Sequence, residues 1–212
     1  AIYGAGNAGD VATIHTANLI WQGADNLPSA PIAGGVGNGS GRLDIKAESI
    51  ALGYGSFSQP SKRNSQDRLI LGFTDANMNA SQRITANYTG SLSVYQRQGA
   101  FDPISGFAYT GGNLNILTPL MTGEAGSINR ITAGGNIDIS ASPGTYKEVK
   151  GVGAELSLKG DSIRVASAVV LPSGKLTLDA RGNLVLTDDA QIDVSGRAIA
   201  FNDVTKYSAG GE

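Results

Sequence analysis

Asp188 and Asp189 are the two residues of this chain whose type and spacing come closest to a catalytic pair. Paired carboxylates can divide general-acid and general-base work when their surroundings push their pKa values apart, as polysaccharide hydrolysis requires. Here the pair lies between two short apolar phrases, Leu184-Val185-Leu186 and Ile192-Asp193-Val194, so a tight solvated bend is the simpler assignment. His15 is the sole histidine and cysteine is absent, which excludes His-rich metal sites, Cys–His nucleophiles and disulfides. Gly4-Ala5-Gly6-Asn7-Ala8-Gly9 has the glycine spacing of a dinucleotide loop, but no helical pattern follows it. There is no Walker A loop, no G-x-S-x-G elbow and no G-G-x-G-x-D calcium repeat. Asn87-Tyr88-Thr89 matches a glycosylation acceptor, a triplet that chance supplies easily. The residues point away from an enzyme, with no catalytic, metal-binding or cofactor-binding set.

Binding chemistry is better represented. Aromatic side chains make up only 6% of the chain, and several gather in irregular segments. Residues 95–111 hold Tyr95, Arg97, Phe101, Pro103, Phe107 and Tyr109, and residues 53–67 hold Tyr54, Phe57, Pro60, Lys62 and Arg63. Residues 22–41 form a further insertion, with Pro28, Pro31 and the glycine-rich run Gly34-Gly35-Val36-Gly37-Asn38-Gly39. Such aromatics either cover a core locally or contact a glycan or protein from a rigid scaffold. Tyr95, Arg97, Phe101, Phe107 and Tyr109 are the candidate ligand contacts on the second reading.

The elements that must carry these segments follow from repetition. Leu156-Ser157-Leu158, Ile163-Arg164-Val165, Val169-Val170-Leu171, Leu176-Thr177-Leu178, Leu184-Val185-Leu186 and Ile192-Asp193-Val194 follow one another in quick succession. Their starts are about six to eight positions apart, the length of a short strand and its turn. Turn residues such as Lys159-Gly160-Asp161 and Pro172-Ser173-Gly174 separate them. The phrase x-apolar-x-apolar recurs from residue 41 onward, its first apolar residues being Leu43, Leu69, Leu92, Leu114, Ile137, Leu156 and Leu176. The step between these positions shrinks from roughly 26 at the start to roughly 20 at the end, which suits coils of three strands and three turns.

The expectation is an all-β chain, a right-handed parallel β-helix with coils of about 20–23 residues and loop insertions near 22–41, 53–67 and 95–111. Residues 1–212 are expected to form a single segment cut from a longer chain. In such a stack Leu156 faces Leu176, Ile163 faces Leu184 and Val169 faces Ile192, while Asp44, Ser93, Asn115, Asp138, Ser157, Thr177 and Asp193 point outward. Seven to nine coils would span about 35 to 45 Å. Composition fits: 30 glycines serve many turns, and 41% hydrophobic residues with few aromatics suit a narrow, layered interior. A net charge of −2 with 16% charged residues offers no basic stripe for nucleic acid. No apolar run is long enough for a transmembrane helix and no polybasic patch exists, so no membrane insertion is expected.

Gly112-Asn113-Leu114-Asn115-Ile116, Ile131-Thr132-Ala133-Gly134-Gly135-Asn136-Ile137-Asp138-Ile139 and Ile192-Asp193-Val194-Ser195-Gly196 resemble the repeats of filamentous haemagglutinin-like exoproteins of Gram-negative bacteria. These are the large substrates of two-partner secretion. The resemblance covers residues 1–20 and 110–212 well and the middle loosely. Ala209-Gly210-Gly211-Glu212 reads as the opening of another coil. The resemblance implies a secreted, cell-surface protein whose outer-membrane transporter recognises a region outside this segment. It implies a structural or adhesive shaft serving adhesion, biofilm or virulence, touching a host or bacterial surface glycan or protein. A non-catalytic glycan-binding module and a β-helical polysaccharide lyase or hydrolase are the alternatives.

Overall fold

A computed structural model of the protein describes residues 1–24, 37–54, 66–202 and 204–212. Most of the insertions at 22–41 and 53–67, including Pro28, Pro31, Phe57, Pro60, Lys62 and Arg63, therefore lies outside the described residues. What is described is all-β and contains no helix. The alternating apolar pattern, broken by glycine every few residues, leaves no stretch with a helical apolar face.

The chain begins with β1 (Ile2–Tyr3), β2 (Val11–His15) and β3 (Asn18–Trp21), then β4 (Gly41–Leu52), β5 (Gln66–Leu71) and β6 (Phe73–Ala86). After β7 (Thr89–Tyr95) comes a hairpin of β8 (Arg97–Asp102) and β9 (Gly106–Thr110), then β10 (Asn113–Leu117) and β11 (Leu120–Gly123). Short strands follow: β12 (Ile128–Ala133), β13 (Ile137–Ser140), β14 (Glu155–Gly160), β15 (Ile163–Ala166) and β16 (Ala168–Val170). The last are β17 (Lys175–Ala180), β18 (Leu184–Leu186) and β19 (Gln191–Asp193), with a second hairpin of β20 (Ala198–Phe201) and β21 (Val204–Tyr207).

Outside the two hairpins, every paired strand among the described residues runs parallel to its neighbour. A six-stranded sheet has the order β1-β5-β7-β12-β14-β17. An eleven-stranded sheet runs β18-β15-β13-β10-β6-β4, with β11, β16 and β19 alongside and β2 and β3 both on β4. From β5 onward the chain alternates between the sheets: β5 leads into β6, β12 into β13, β14 into β15 and β17 into β18.

Register explains the core. In the eleven-stranded sheet Leu43, Ala76, Leu114, Ile137, Ile163 and Leu184 fall in one row. Ile45, Met78, Ile116, Ile139, Val165 and Leu186 fall in the next inward row. Leu92, Ile131, Leu158 and Leu178 stack in the six-stranded sheet. All but the outermost of these residues are buried and share one hydrophobic cluster. Burying each Leu, Ile, Val or Met side chain of these rows stabilises by roughly 1.5–3 kcal/mol. The expected facing pairs Leu156–Leu176, Ile163–Leu184 and Val169–Ile192 are in register.

Two sequence expectations need correction. Leu43, Leu69, Leu92, Leu114, Ile137, Leu156 and Leu176 are not equivalent positions: Leu43, Leu114 and Ile137 belong to the eleven-stranded sheet, the others to the six-stranded one. The same x-apolar-x-apolar phrase serves both sheets, so spacing alone merged them. Leu69 is also out of frame, because Arg68 is the residue aligned with Leu92 while Leu69 faces Ser93. Arg68 is fully buried. Its guanidinium donates to the carbonyls of Trp21 (2.6 Å), Gln22 (3.0 Å), Gln66 (3.0 Å) and Ser91 (3.2 Å). Burial pushes its pKa down to about 10, against an opposing pull from Asp67.

Candidate functional site

The aromatic segment 95–111 is more regular than the sequence suggests. β8 and β9 pair antiparallel, with Arg97 opposite Thr110, Gln98 opposite Tyr109 and Phe101 opposite Phe107. Between them Asp102 accepts hydrogen bonds from the Ile104 N–H (2.9 Å), the Ser105 N–H (2.8 Å) and the Ser105 hydroxyl (3.0 Å). Those bonds, led by the Ser105 and Ile104 backbone, hold the Asp102 carboxyl below its ordinary range. This local capping lets the turn form without help from the sheets.

The five candidate contacts divide into two groups. At the hairpin base, Tyr95 and Tyr109 stack with centroids 4.7 Å apart and planes 20° from parallel. Burial pushes both phenols up. Tyr3 and Tyr95 add to the shift at Tyr109, while Ser93, Arg181 and Lys159 oppose it at Tyr95. At the tip, Phe101 and Phe107 pack at 4.9 Å and 58°. Phe101 is 61% exposed and Ile104 98% exposed, so the hairpin carries a small apolar tip. Arg97 is exposed on β8. The base pair anchors the hairpin to the sheets, and the tip is the part free to touch something else.

The remaining sequence candidates scatter. Asp188 and Asp189 occupy an exposed turn between β18 and β19, closed by the Ala190 N–H donating to Thr187 O at 3.0 Å. His15 ends β2 opposite Lys46 and is exposed. The Gly4 N–H donates to Leu71 O (2.8 Å), and a Cβ at Gly4 would collide with the Gly72 carbonyl and the Phe73 ring. Its glycine serves close backbone approach between strands. Asn87 is committed on both ends of its amide, donating to Tyr54 O (2.8 Å) and accepting from the Tyr88 N–H (2.9 Å). Among the described residues no three His, Asp or Glu side chains cluster as metal ligands.

The outward-facing positions of the strand phrase form an ordered polar row; the sequence places Asp44, Asn115 and Asp138 outward but not Asn77 between them. Asp44, Asn77, Asn115, Asp138 and Arg164 occupy one register position on five successive strands of the eleven-stranded sheet. Asn77 donates to Asp44 (2.7 Å) and Asn115 donates to Asn77 (2.8 Å). Arg42 closes one end on Asp44 at 3.0 Å, and Arg164 closes the other on Asp138 at 3.2 Å. Burial pushes the Asp44 carboxyl up, but the Asn77 and Arg42 bonds and the Arg42 and Lys46 charges outweigh it and hold it low. A neighbouring row repeats the pattern, with Asn113 donating to Asp75 at 3.0 Å. The first row floors a depression of about 320 Å³ whose walls include Arg42, Lys46, Asn79, Leu117 and Ser140. The signal in sequence was the recurrence of Asp or Asn at the middle of the strand phrase, legible only once the strands are paired.

No known family model, curated protein or solved structure matches this chain.

Proposed function

We propose that the chain is a right-handed parallel β-helix acting as a structural and adhesive shaft segment of a secreted bacterial cell-surface exoprotein. In this reading it is not an enzyme, and it holds binding or effector regions away from the cell. The observation that carries the reading is the register: Leu178 lies on Leu158 and Leu184 on Ile163, in two different sheets of the same chain. Each pair is separated by about one coil length, roughly 20 residues. A chain that returns to the same two sheets after one such interval gains a layer per circuit. The right hand follows from the strong preference of parallel β-crossover-β connections for that hand. Stacking without cysteine suits a protein whose stability must come from repetition. Export through an outer-membrane partner rests on the resemblance of residues 110–212 to two-partner exoproteins.

Two measurements on the natural protein test it. Small-angle scattering of the purified segment should give a rod-like cross-section; a compact sphere of equal mass overturns the architecture. Protease shaving of intact source cells should release fragments recognised by an antibody to the β8–β9 hairpin. Protection until lysis overturns the surface assignment.

A second reading is favoured by one observation, the exposed Phe101 and Ile104 at the hairpin tip. There the segment contacts a surface protein or glycan itself. A double Phe101→Ala, Ile104→Ala variant that adheres to target cells as the wild type does removes that reading.

A further inference from the structure

We infer that the polar row across β4, β6, β10 and β13 is a binding groove for an uncharged linear polysaccharide, seated over Asp44, Asn77, Asn115 and Asp138. The site is separate from the β8–β9 hairpin and does not depend on where the protein is located. Three features of the row support this.

First, its geometry is periodic. Adjacent strands are ~4.8 Å apart, so the row from Asp44 to Asp138 spans about 14 Å on three such steps. A polymer of pyranose units laid along it can repeat the same hydrogen bonds unit after unit.

Second, its hydrogen bonds run one way and then stop. Asn115 gives its amide N–H to Asn77, and Asn77 gives its own to Asp44. Asn115 is in register with Asp138, but its amide N–H is already spent on Asn77. Asp138 is itself an acceptor, bonded to the Ser140 hydroxyl (2.6 Å) and to Arg164. The run of amide donors thus passes from Asn115 through Asn77 to Asp44 and does not continue to Asp138, which takes its donors from Ser140 and Arg164 instead. A sugar hydroxyl supplies a donor at that break and, through its own oxygen, an acceptor for the neighbouring Lys46 or Arg164.

Third, each carboxylate of the row is already matched by a base. Arg42 pairs with Asp44 and Arg164 with Asp138 at its two ends, and Lys46 lines the wall beside them. A polyanion would meet the two carboxylates, and a polycation the two bases. A neutral, hydroxyl-rich chain meets paired donors and acceptors without uncompensated charge.

The test is a titration of the isotope-labelled wild-type protein with cellohexaose, mannohexaose and chitohexaose, followed through its backbone and asparagine side-chain amide resonances. Saturable shifts at Asn77, Asn113 and Asn115 with at least one hexamer are expected, with the β8–β9 hairpin unmoved. Asn115→Leu should weaken that binding about tenfold or more, since it removes an acceptor the ligand must satisfy. Phe101→Ala should leave it unchanged. Shifts confined to Tyr95, Phe101 and Phe107, tighter binding of dextran sulfate than of any hexamer, or no shift with all three hexamers each overturn the proposal. Equal affinity in a folded Asn115→Leu protein does the same.

Discussion

The strands from β12 to β19 and those from β1 to β6 share parallel pairing, yet they pair differently. In the later part successive strands of the six-stranded sheet pair directly, Leu158 lying on Ile131 and Leu178 on Leu158. In the earlier ones Ile2 finds no register partner before Ile70, because among the described residues β4 has no companion strand in that sheet. The column Leu178, Leu158, Ile131, Leu92 accordingly ends on Arg68 instead of another aliphatic side chain. Where a layer supplies a strand, leucine suffices to fill the interior. Where residues 21–24 cross the column instead, with Ala24 bridged to Asp67, loop carbonyls need a donor. A planar guanidinium with its fork of N–H groups reaches several of them at once. Regular stacking thus hides its polar backbone in ladders, and an irregular crossing must be paid for by a buried charge.

The sharpest way to break that contrast is Leu158→Asp. An unpaired carboxylate at a fully buried position in the middle of the column should cost at least ~4 kcal/mol and leave little folded protein. A urea midpoint near wild type would show that the column is not a continuous core. Next, Arg68→Ala strands the carbonyls it serves and should cost about 3–5 kcal/mol by denaturant unfolding. Arg68→Lys should recover only part of that, because a point donor cannot span the fork. Equal stability of Arg68→Ala and wild type would mean that the crossing carries its own satisfaction.

Leu176→Asp, in the edge strand of the six-stranded sheet and only half-buried, should cost less, about 1–3 kcal/mol. A loss matching Leu158→Asp would mean the last layer is as enclosed as the middle. The smallest effect is electrostatic. The Ser195 hydroxyl, Arg197 and the Ser195 N–H hold Asp193 at about 2, below the ordinary value of roughly 3.9. A carboxyl depressed in the folded state stabilises fully above its unfolded pKa and loses that contribution as pH falls through the folded one. Thermal melts should therefore drop between about pH 4 and pH 2, and Asp193→Asn should flatten that limb. An identical slope in the variant would place the acid sensitivity elsewhere.

How much of this is legible in the sequence differs by residue. Leu156 with Leu176, Ile163 with Leu184 and Val169 with Ile192 are readable because each pair lies within about one repeat, with turn residues marking the ends. Leu69 misleads because the position aligned with Leu92 is taken by a buried charged residue, Arg68, where alternation leads one to expect an aliphatic side chain. Tyr95, Phe101, Phe107 and Tyr109 are visible as a cluster, but not their pairing into a stacked base and an exposed tip. That pairing depends on the antiparallel register of β8 with β9, and the register is fixed by the Asp102 turn.

The sequence by itself determined the strand content and absence of helix among the described residues, the aliphatic interior and the absence of thiol or histidine-cluster chemistry, since these follow from residue type and local period. Only the tertiary structure decided which strands share a sheet, that Arg68 sits in a leucine column, and that Asp44, Asn77, Asn115 and Asp138 form one row. Asn77 lies 33 positions after Asp44, and Asn115 lies 38 after Asn77. Parallel pairing brings such residues together through connections whose lengths vary along the chain. No local pattern encodes a distance of that kind.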